Sequence, residues 1–177
     1  MPILYGALAV IGFGVAAVLA LASRKPSSFR IERKKVIAAR PDAIFPKLDD
    51  FHRWTEWSPW EKLDPDLQRT YGGSDRGVGA TYAWKGNNKA GEGRMEIVES
   101  KPAERVALKL EFIKPFPATN TTIFTLTPSG EGTEVSWTME GQNTFMSKVF
   151  AVFADMDTLI GKDFEQGLEN LERVAKS

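Results

Sequence analysis

The sequence predicts an α+β fold in which a curved antiparallel sheet of six to seven strands wraps around one long C-terminal helix. Three observations indicate it. Apolar and polar residues alternate over a series of short segments, turns rich in glycine and proline separate those segments, and the apolar spacing lengthens to three or four residues after residue 142. A sheet with one apolar face must cover that face, and the C-terminal helix is the large cover available.

Composition excludes several classes of function. The 177 residues carry 23 basic and 23 acidic side chains, so nothing indicates a nucleic-acid partner, which usually requires a clearly basic domain. Cysteine is absent and His52 is the one histidine. Any zinc site would therefore need carboxylates alone, which is uncommon. We predict no metal and no cofactor.

The N-terminal segment predicts a transmembrane anchor over residues 1–23. Residues 3–22 are uncharged, and at roughly 1.5 Å per residue such a helix reaches about 30 Å, the thickness of the bilayer core. Arg24 and Lys25 follow directly. The positive-inside rule then predicts a single-pass membrane protein with its main domain on the cytoplasmic side.

Cleavage of this segment is an open alternative. A signal peptide would need a positive region before the apolar run, and none is present. Ala20-Leu21-Ala22 nevertheless resembles a cleavage site. Residues 24–28 are interpreted as a linker, and residues 29–177 as one domain without repeats.

The strands are predicted from alternation of residue type with period two. The clearest case is residues 106–112, where Val106, Leu108, Leu110 and Phe112 alternate with less apolar residues. The full set of predicted strands is 29–37, 67–72, 80–85, 91–99, 106–112, 119–127 and 134–140.

Two helices are predicted within the domain. Pro41 and Asp42 favour the start of a short helix that continues to residue 48. Asn143 or Thr144 can cap a long helix that runs to about Ala175. Its apolar residues recur three to four apart and form a stripe.

Several segments together resemble the SRPBCC superfamily, in its START-like, polyketide cyclase/dehydrase-like branch. The segments that carry the resemblance are residues 40–45, 54–60, 77–84 and 161–171. The resemblance spans about residues 29–175. It implies a helix-grip fold (START/Bet v 1-like) with a deep hydrophobic cavity between sheet and helix. It implies no particular reaction.

The predicted cavity residues come from two sources. Trp54, Trp57 and Trp60 are three apart and would form the rim of a cavity, or equally would seal one end of the core. Strand parity and the helical stripe add a second set, each member of which is equally consistent with an ordinary core. That set is Tyr82, Trp84, Met95, Ile97, Leu108, Leu110, Phe112, Phe124, Trp137, Met139, Phe150 and Phe153.

Acidic residues on the long helix are the candidates for chemistry. Asp155 and Asp157 are two apart and cannot share one helical face. Asp157 lies nearer the apolar stripe, so we place it in the cavity, where it would act as an acid or base. The alternative is that both are solvated or paired with Arg or Lys. No catalytic residue is assigned, since no nucleophile accompanies His52.

Three functions remain open at this level. The first is binding of a hydrophobic small molecule, a lipid or polyketide-like compound, in an internal cavity next to the membrane. The second is an enzyme of the polyketide cyclase or dehydratase type, which needs a shaped cavity and one or two acid–base groups. The third is a membrane-anchored domain that docks a protein partner.

Overall fold

The computed structural model describes residues 2–176, with the backbone alone for residues 2–4 and 6–10. The helices are α1 (Pro2–Ser23), α2 (Pro41–Leu48), α3 (Phe145–Phe153) and α4 (Met156–Ala175), with short 3₁₀ segments at Phe51–Glu56 and Pro59–Lys62. The strands are β1 (Ser28–Ile37), β2 (Gln68–Gly73), β3 (Ala80–Lys85), β4 (Glu92–Lys101), β5 (Arg105–Lys114), β6 (Ala118–Ser129) and β7 (Gly132–Gln142). The α+β class and the antiparallel sheet are confirmed.

The described strands form one seven-stranded antiparallel sheet in the order β1-β7-β6-β5-β4-β3-β2. Strands β2 to β7 follow one another through short turns, and β1 returns to pair with β7 from Ser28↔Gln142 to Ile37↔Thr133. A register shift between Ile97 and Glu99 marks a bulge where β4 pairs with β5. Bulges bend a strand and increase its twist, which helps the sheet to curve around a helix.

Helix α4 covers the concave face of the sheet. Its residues Phe164, Leu168 and Leu171 are buried. The Phe164 ring stacks on Trp137 of β7 with centroids 4.3 Å apart. Gly167 permits this close approach, because a Cβ atom there would lie 2.6 Å from the Trp137 ring.

The predicted long C-terminal helix is two helices. Helix α3 is capped by Thr144, whose hydroxyl accepts from the Ser147 amide. The chain leaves helical geometry at Ala154. The Asp155 carboxylate then accepts from the amides of Asp157 and Thr158 and starts α4. The apolar stripe predicts one continuous helix across Asp155, whereas the Asp155 carboxylate is an N-cap that favours a new helix.

The N-terminal segment is helical, but the structure does not support the predicted transmembrane anchor. Helix α1 lies beside α3. No helix in the described part of the chain is both long enough and apolar enough to cross a membrane. The predicted anchor includes residues 3, 4 and 6–10, whose side chains lie outside the described residues. A transmembrane anchor is therefore not supported by the described residues.

Candidate functional site

A partly open cavity of about 240 Å³ lies between the sheet and α4. Its walls are mostly apolar and come mainly from strands β3 to β7, the start of α4 and the segment between α2 and β2. Leu63, Lys89 and Asp163 line the cavity and are exposed, so they mark its mouth. Apolar walls with a few polar groups are typical of small-molecule sites.

One end of the space under the sheet is packed solid by the segment after α2. Trp54 and Trp57 are 3% and 1% exposed. Their indole N–H groups donate to the carbonyl oxygens of Leu48 and Lys47, at 3.2 and 2.9 Å. Both rings contact Phe124 edge-on. Because the rings fill this end and their polar atoms are satisfied, the void begins beyond them.

A polar cluster stands in the cavity wall. The Tyr82 hydroxyl donates to Glu61 Oε1 at 2.6 Å. Arg69 Nε donates to Glu61 Oε2 at 2.6 Å, and Arg69 Nη2 donates to the Glu61 carbonyl oxygen at 3.1 Å. Glu61 and Tyr82 line the cavity, whereas Arg69 is not among the lining residues. The carboxylate is thus held by partners in a fixed position.

Burial sets the protonation of this cluster's tyrosine. Loss of solvent around the phenol, followed by its hydrogen bond to Glu61, raises the pKa of Tyr82 far above its ordinary value. Both causes disfavour a phenolate. Tyr82 therefore keeps its proton at any physiological pH and directs it at the carboxylate.

Most of the predicted cavity residues lie in the cavity wall. Those that line it are Trp54, Trp60, Tyr82, Trp84, Met95, Leu108, Leu110, Phe112, Trp137 and Met139. Whether they touch a ligand stays a prediction. The period-two pattern placed the strand residues on this face because successive side chains point to opposite faces of a sheet.

Three other predicted residues lie in the solid core beside the cavity. Trp57, Ile97 and Phe124 are fully buried and do not line the void. Strand alternation places Ile97 and Phe124 on the same face of the sheet as the cavity residues, and Trp57 packs against Phe124. Strand alternation predicts the face of a side chain but not its position relative to the cavity. That position decides whether the side chain contacts the packed end or the void.

The last three predicted residues lie away from the cavity. Phe150 and Phe153 belong to α3 and are 54% and 73% exposed. Asp157 is on the surface, where its carboxylate forms an ion pair with Arg33 at 2.9 Å. For the two phenylalanines the physical reason is the helix break at Asp155, which separates α3 from the stripe that grips the sheet. Asp157 lies in the first turn of α4, where Arg33 holds it at the surface.

Glu61 is the polar residue that the sequence analysis missed. It follows Trp60 in an irregular segment, where no periodicity assigns a side chain to a face. Its partners Arg69 and Tyr82 lie on β2 and β3, so the cluster forms only when that segment folds over the edge of the sheet. A glutamate next to a cavity-facing tryptophan is the one local signal, and it is weak.

The curved sheet around a C-terminal helix, with a void between them, defines the helix-grip class of fold. Residues 28–176 match the family described as polyketide cyclase / dehydrase and lipid transport. The chain belongs to this family. A search of curated proteins finds no match.

Solved structures share the fold at low sequence identity. Protein CV1439 from Chromobacterium violaceum is 19% identical with a TM-score of 0.60, covering 86% of this chain and 99% of that one. Mll3558 from Rhizobium loti is 24% identical with a TM-score of 0.55, covering 84% and 96%. DynU16, a protein in the dynemicin biosynthetic locus, is 14% identical with a TM-score of 0.58, covering 84% and 47%.

Proposed function

We propose that this protein binds an apolar small molecule in the cavity between the sheet and α4. The observation that carries the proposal is the void itself. Trp84, Leu110 and Phe112 line it, and it is left open beside an end that is packed solid. Family membership supports the proposal, because the family description joins cyclases with lipid transport.

A titration with a neutral fluorescent probe, N-phenyl-1-naphthylamine, tests this proposal. Leu110 lines the cavity, so Leu110→Trp fills it and lowers probe affinity by about tenfold or more, which corresponds to about 1.4 kcal/mol. Lys109→Trp is the matched control, because Lys109 is the preceding residue of β5 and is exposed. Equal affinity in both variants would show that the probe binds elsewhere.

A second candidate is a cyclase or dehydratase that acts on a ligand in the same cavity. Glu61 and Tyr82 favour it, because a carboxylate and a phenol 2.6 Å apart supply acid–base groups inside an apolar site. The test is turnover of polyketide-like substrates by the wild type and by Glu61→Gln. Turnover that is unchanged in the variant would remove this candidate.

We also propose that residues 3–22 and α3 associate with a lipid membrane, where the protein would be located. Phe150 and Phe153 are exposed on α3, which lies beside α1. Arg24 and Lys25 follow α1, and Lys148 is the one charged residue of α3. An apolar surface bordered by basic residues complements a bilayer with anionic headgroups.

Vesicle flotation of the full chain tests the membrane proposal. The wild type floats with vesicles that contain anionic lipid, and combining Phe150→Ser with Phe153→Ser reduces the floated fraction. Val98→Ser is the control, since Val98 is 48% exposed on the sheet, away from α3. Loss of flotation in the control as well, or none in the double variant, would contradict a role for α3.

A further inference from the structure

The cluster of Glu61, Tyr82 and Arg69 offers hydrogen-bond acceptors to a ligand, because its donors already bond to Glu61. The Tyr82 proton is directed at Glu61 Oε1 and the Arg69 Nε proton at Oε2. A carboxylate has about four acceptor sites, of which these two bonds use half. The phenol oxygen of Tyr82 keeps acceptor capacity as well. A ligand that reaches this cluster therefore meets lone pairs.

Other polar groups also line the void, namely the buried Ser58 and, at its mouth, the exposed Lys89 and Asp163. The indole N–H of Trp84 donates to the carbonyl oxygen of Ala90 at 3.0 Å, and that of Trp54 is also bonded to a backbone carbonyl. Within the described residues, Thr122 Oγ1 and Trp137 Nε1 are buried without a partner. Both residues line the cavity, but these two atoms have essentially no accessible surface, because neighbouring atoms cover them.

The charges of the cluster further limit which functional group of a ligand can bind there. Arg69 already neutralises Glu61, with their nearest atoms 2.6 Å apart. A ligand ammonium would add an uncompensated positive charge inside an apolar cavity, which is unfavourable. A ligand carboxylate would face the lone pairs of another carboxylate, which is unfavourable as well. A neutral hydroxyl group donates one hydrogen bond without either penalty.

We infer that the ligand is a neutral apolar alcohol or phenol, whose hydroxyl group donates to the Glu61–Tyr82 cluster while its apolar body fills the rest of the cavity. This inference rests on the proposed binding function and names its ligand class. Apolar contact supplies most of the affinity, and the hydroxyl group supplies the selection among molecules of similar size. Glu61 then determines specificity, and Arg69 positions it.

A ligand series with one chain length tests the inference on the wild-type protein. The probes are 1-decanol, decyl methyl ether and decanoate, each measured by displacement of N-phenyl-1-naphthylamine. Decanol should bind about tenfold or more tightly than the ether, because a hydrogen bond to a charged acceptor is among the stronger ones. Decanoate should bind most weakly.

Variants identify the group that makes the selection. Glu61→Gln replaces a lone-pair acceptor by an amide that also donates, so the preference for decanol over the ether should fall to about twofold or less. Tyr82→Phe leaves the carboxylate in place and should keep the preference. Glu96→Gln is the matched control, because Glu96 is exposed on β4.

The outcomes separate this inference from the proposed function. If none of the three ligands and no neutral probe binds, the proposed function fails. If the ether or decanoate binds as tightly as decanol, the cavity is a binding site but the inference is overturned. Should Glu61→Gln not fold, the wild-type series and Tyr82→Phe still decide the question.

Discussion

Two ends of the same sheet face carry similar aromatic residues, but one end is packed solid and the other borders a cavity. At the packed end, Trp54 and Trp57 fill the space over Phe124. At the open end, Tyr82 and Trp84 stand beside a void of about 240 Å³. Aromatic content alone therefore does not make a cavity. What decides is whether the connection between α2 and β2 sends an indole ring into the space.

Backbone geometry explains why the connection fills one end only. The 3₁₀ segment Phe51–Glu56 contains Trp54, and Trp57 follows directly as its C-terminal cap. Their N–H groups then bond to the last residues of α2. The next segment places Trp60 against Trp137 and Phe164. It also brings Glu61 to the cavity wall, where its carboxylate accepts from Tyr82 and Arg69.

Truncating one ring at each end should give the largest difference in stability between the packed end and the open end. Trp57→Ala should lower the free energy of unfolding by about 3–5 kcal/mol, since it leaves a new void in a solid core. Trp84→Ala should cost about half of that, because the ring already borders a void. Chemical denaturation of both variants is the measurement. Equal losses would mean that the two ends are packed alike.

Adding a methyl group at each of two α4 glycines separates a position against a packed ring from one against a flexible side chain. Gly167→Ala should cost about 1–3 kcal/mol, because its Cβ would overlap the rigid Trp137 ring and approach Pro59. Gly161→Ala would overlap only the end of the flexible Arg33 side chain. Its helix propensity gain of about 1 kcal/mol offsets the disturbed surface ion pairs. Denaturation midpoints check both, and a loss at Gly161 that matches the one at Gly167 would contradict this reading.

The smallest expected effect on stability comes from Asp49, a buried acid beside the packed end. Burial raises the pKa of Asp49, although its carboxylate accepts from the Ser100 hydroxyl at 2.5 Å. The folded state therefore binds this proton more tightly than the unfolded state, whose pKa lies near 3.8. The resulting stabilisation is full below that pH and is lost as pH rises through the folded pKa.

Comparison with Asp49→Asn isolates this contribution. The wild type should lose under about 1 kcal/mol of stability relative to the variant as pH rises from about 3.5 to 6. Asparagine still accepts from Ser100, which makes it a close control. Unfolding curves across this pH range are the measurement. A difference that stays constant with pH, or that grows in favour of the wild type, would contradict a raised pKa.

The sequence predicted the sheet face well and the depth of its residues poorly. Leu108, Leu110 and Phe112 follow from alternation, because a strand has only two faces. Trp57 and Trp60 are three apart in one segment, yet one is in the core and the other lines the cavity. Their separation depends on how a turn packs in three dimensions, which no period encodes.

The helix break at Asp155 and the role of Glu61 were not predicted, and each has a physical cause. Asp155 reads as an interruption of an apolar stripe or as an N-cap, and the choice depends on whether α3 has a partner on the sheet. Glu61 requires Arg69 and Tyr82 from other elements, so its role is visible only after folding. The α+β class needed only strand spacing and turn composition, which are local properties.

Native mass spectrometry of the full chain, purified gently from its host cells, tests whether the cavity holds an apolar ligand. We expect one neutral apolar molecule per chain, released on denaturation and lost from Leu110→Trp but retained by Lys109→Trp. A ligand-free wild type that also fails to take up neutral apolar probes would contradict it, and the cavity would then be a packing defect of the fold.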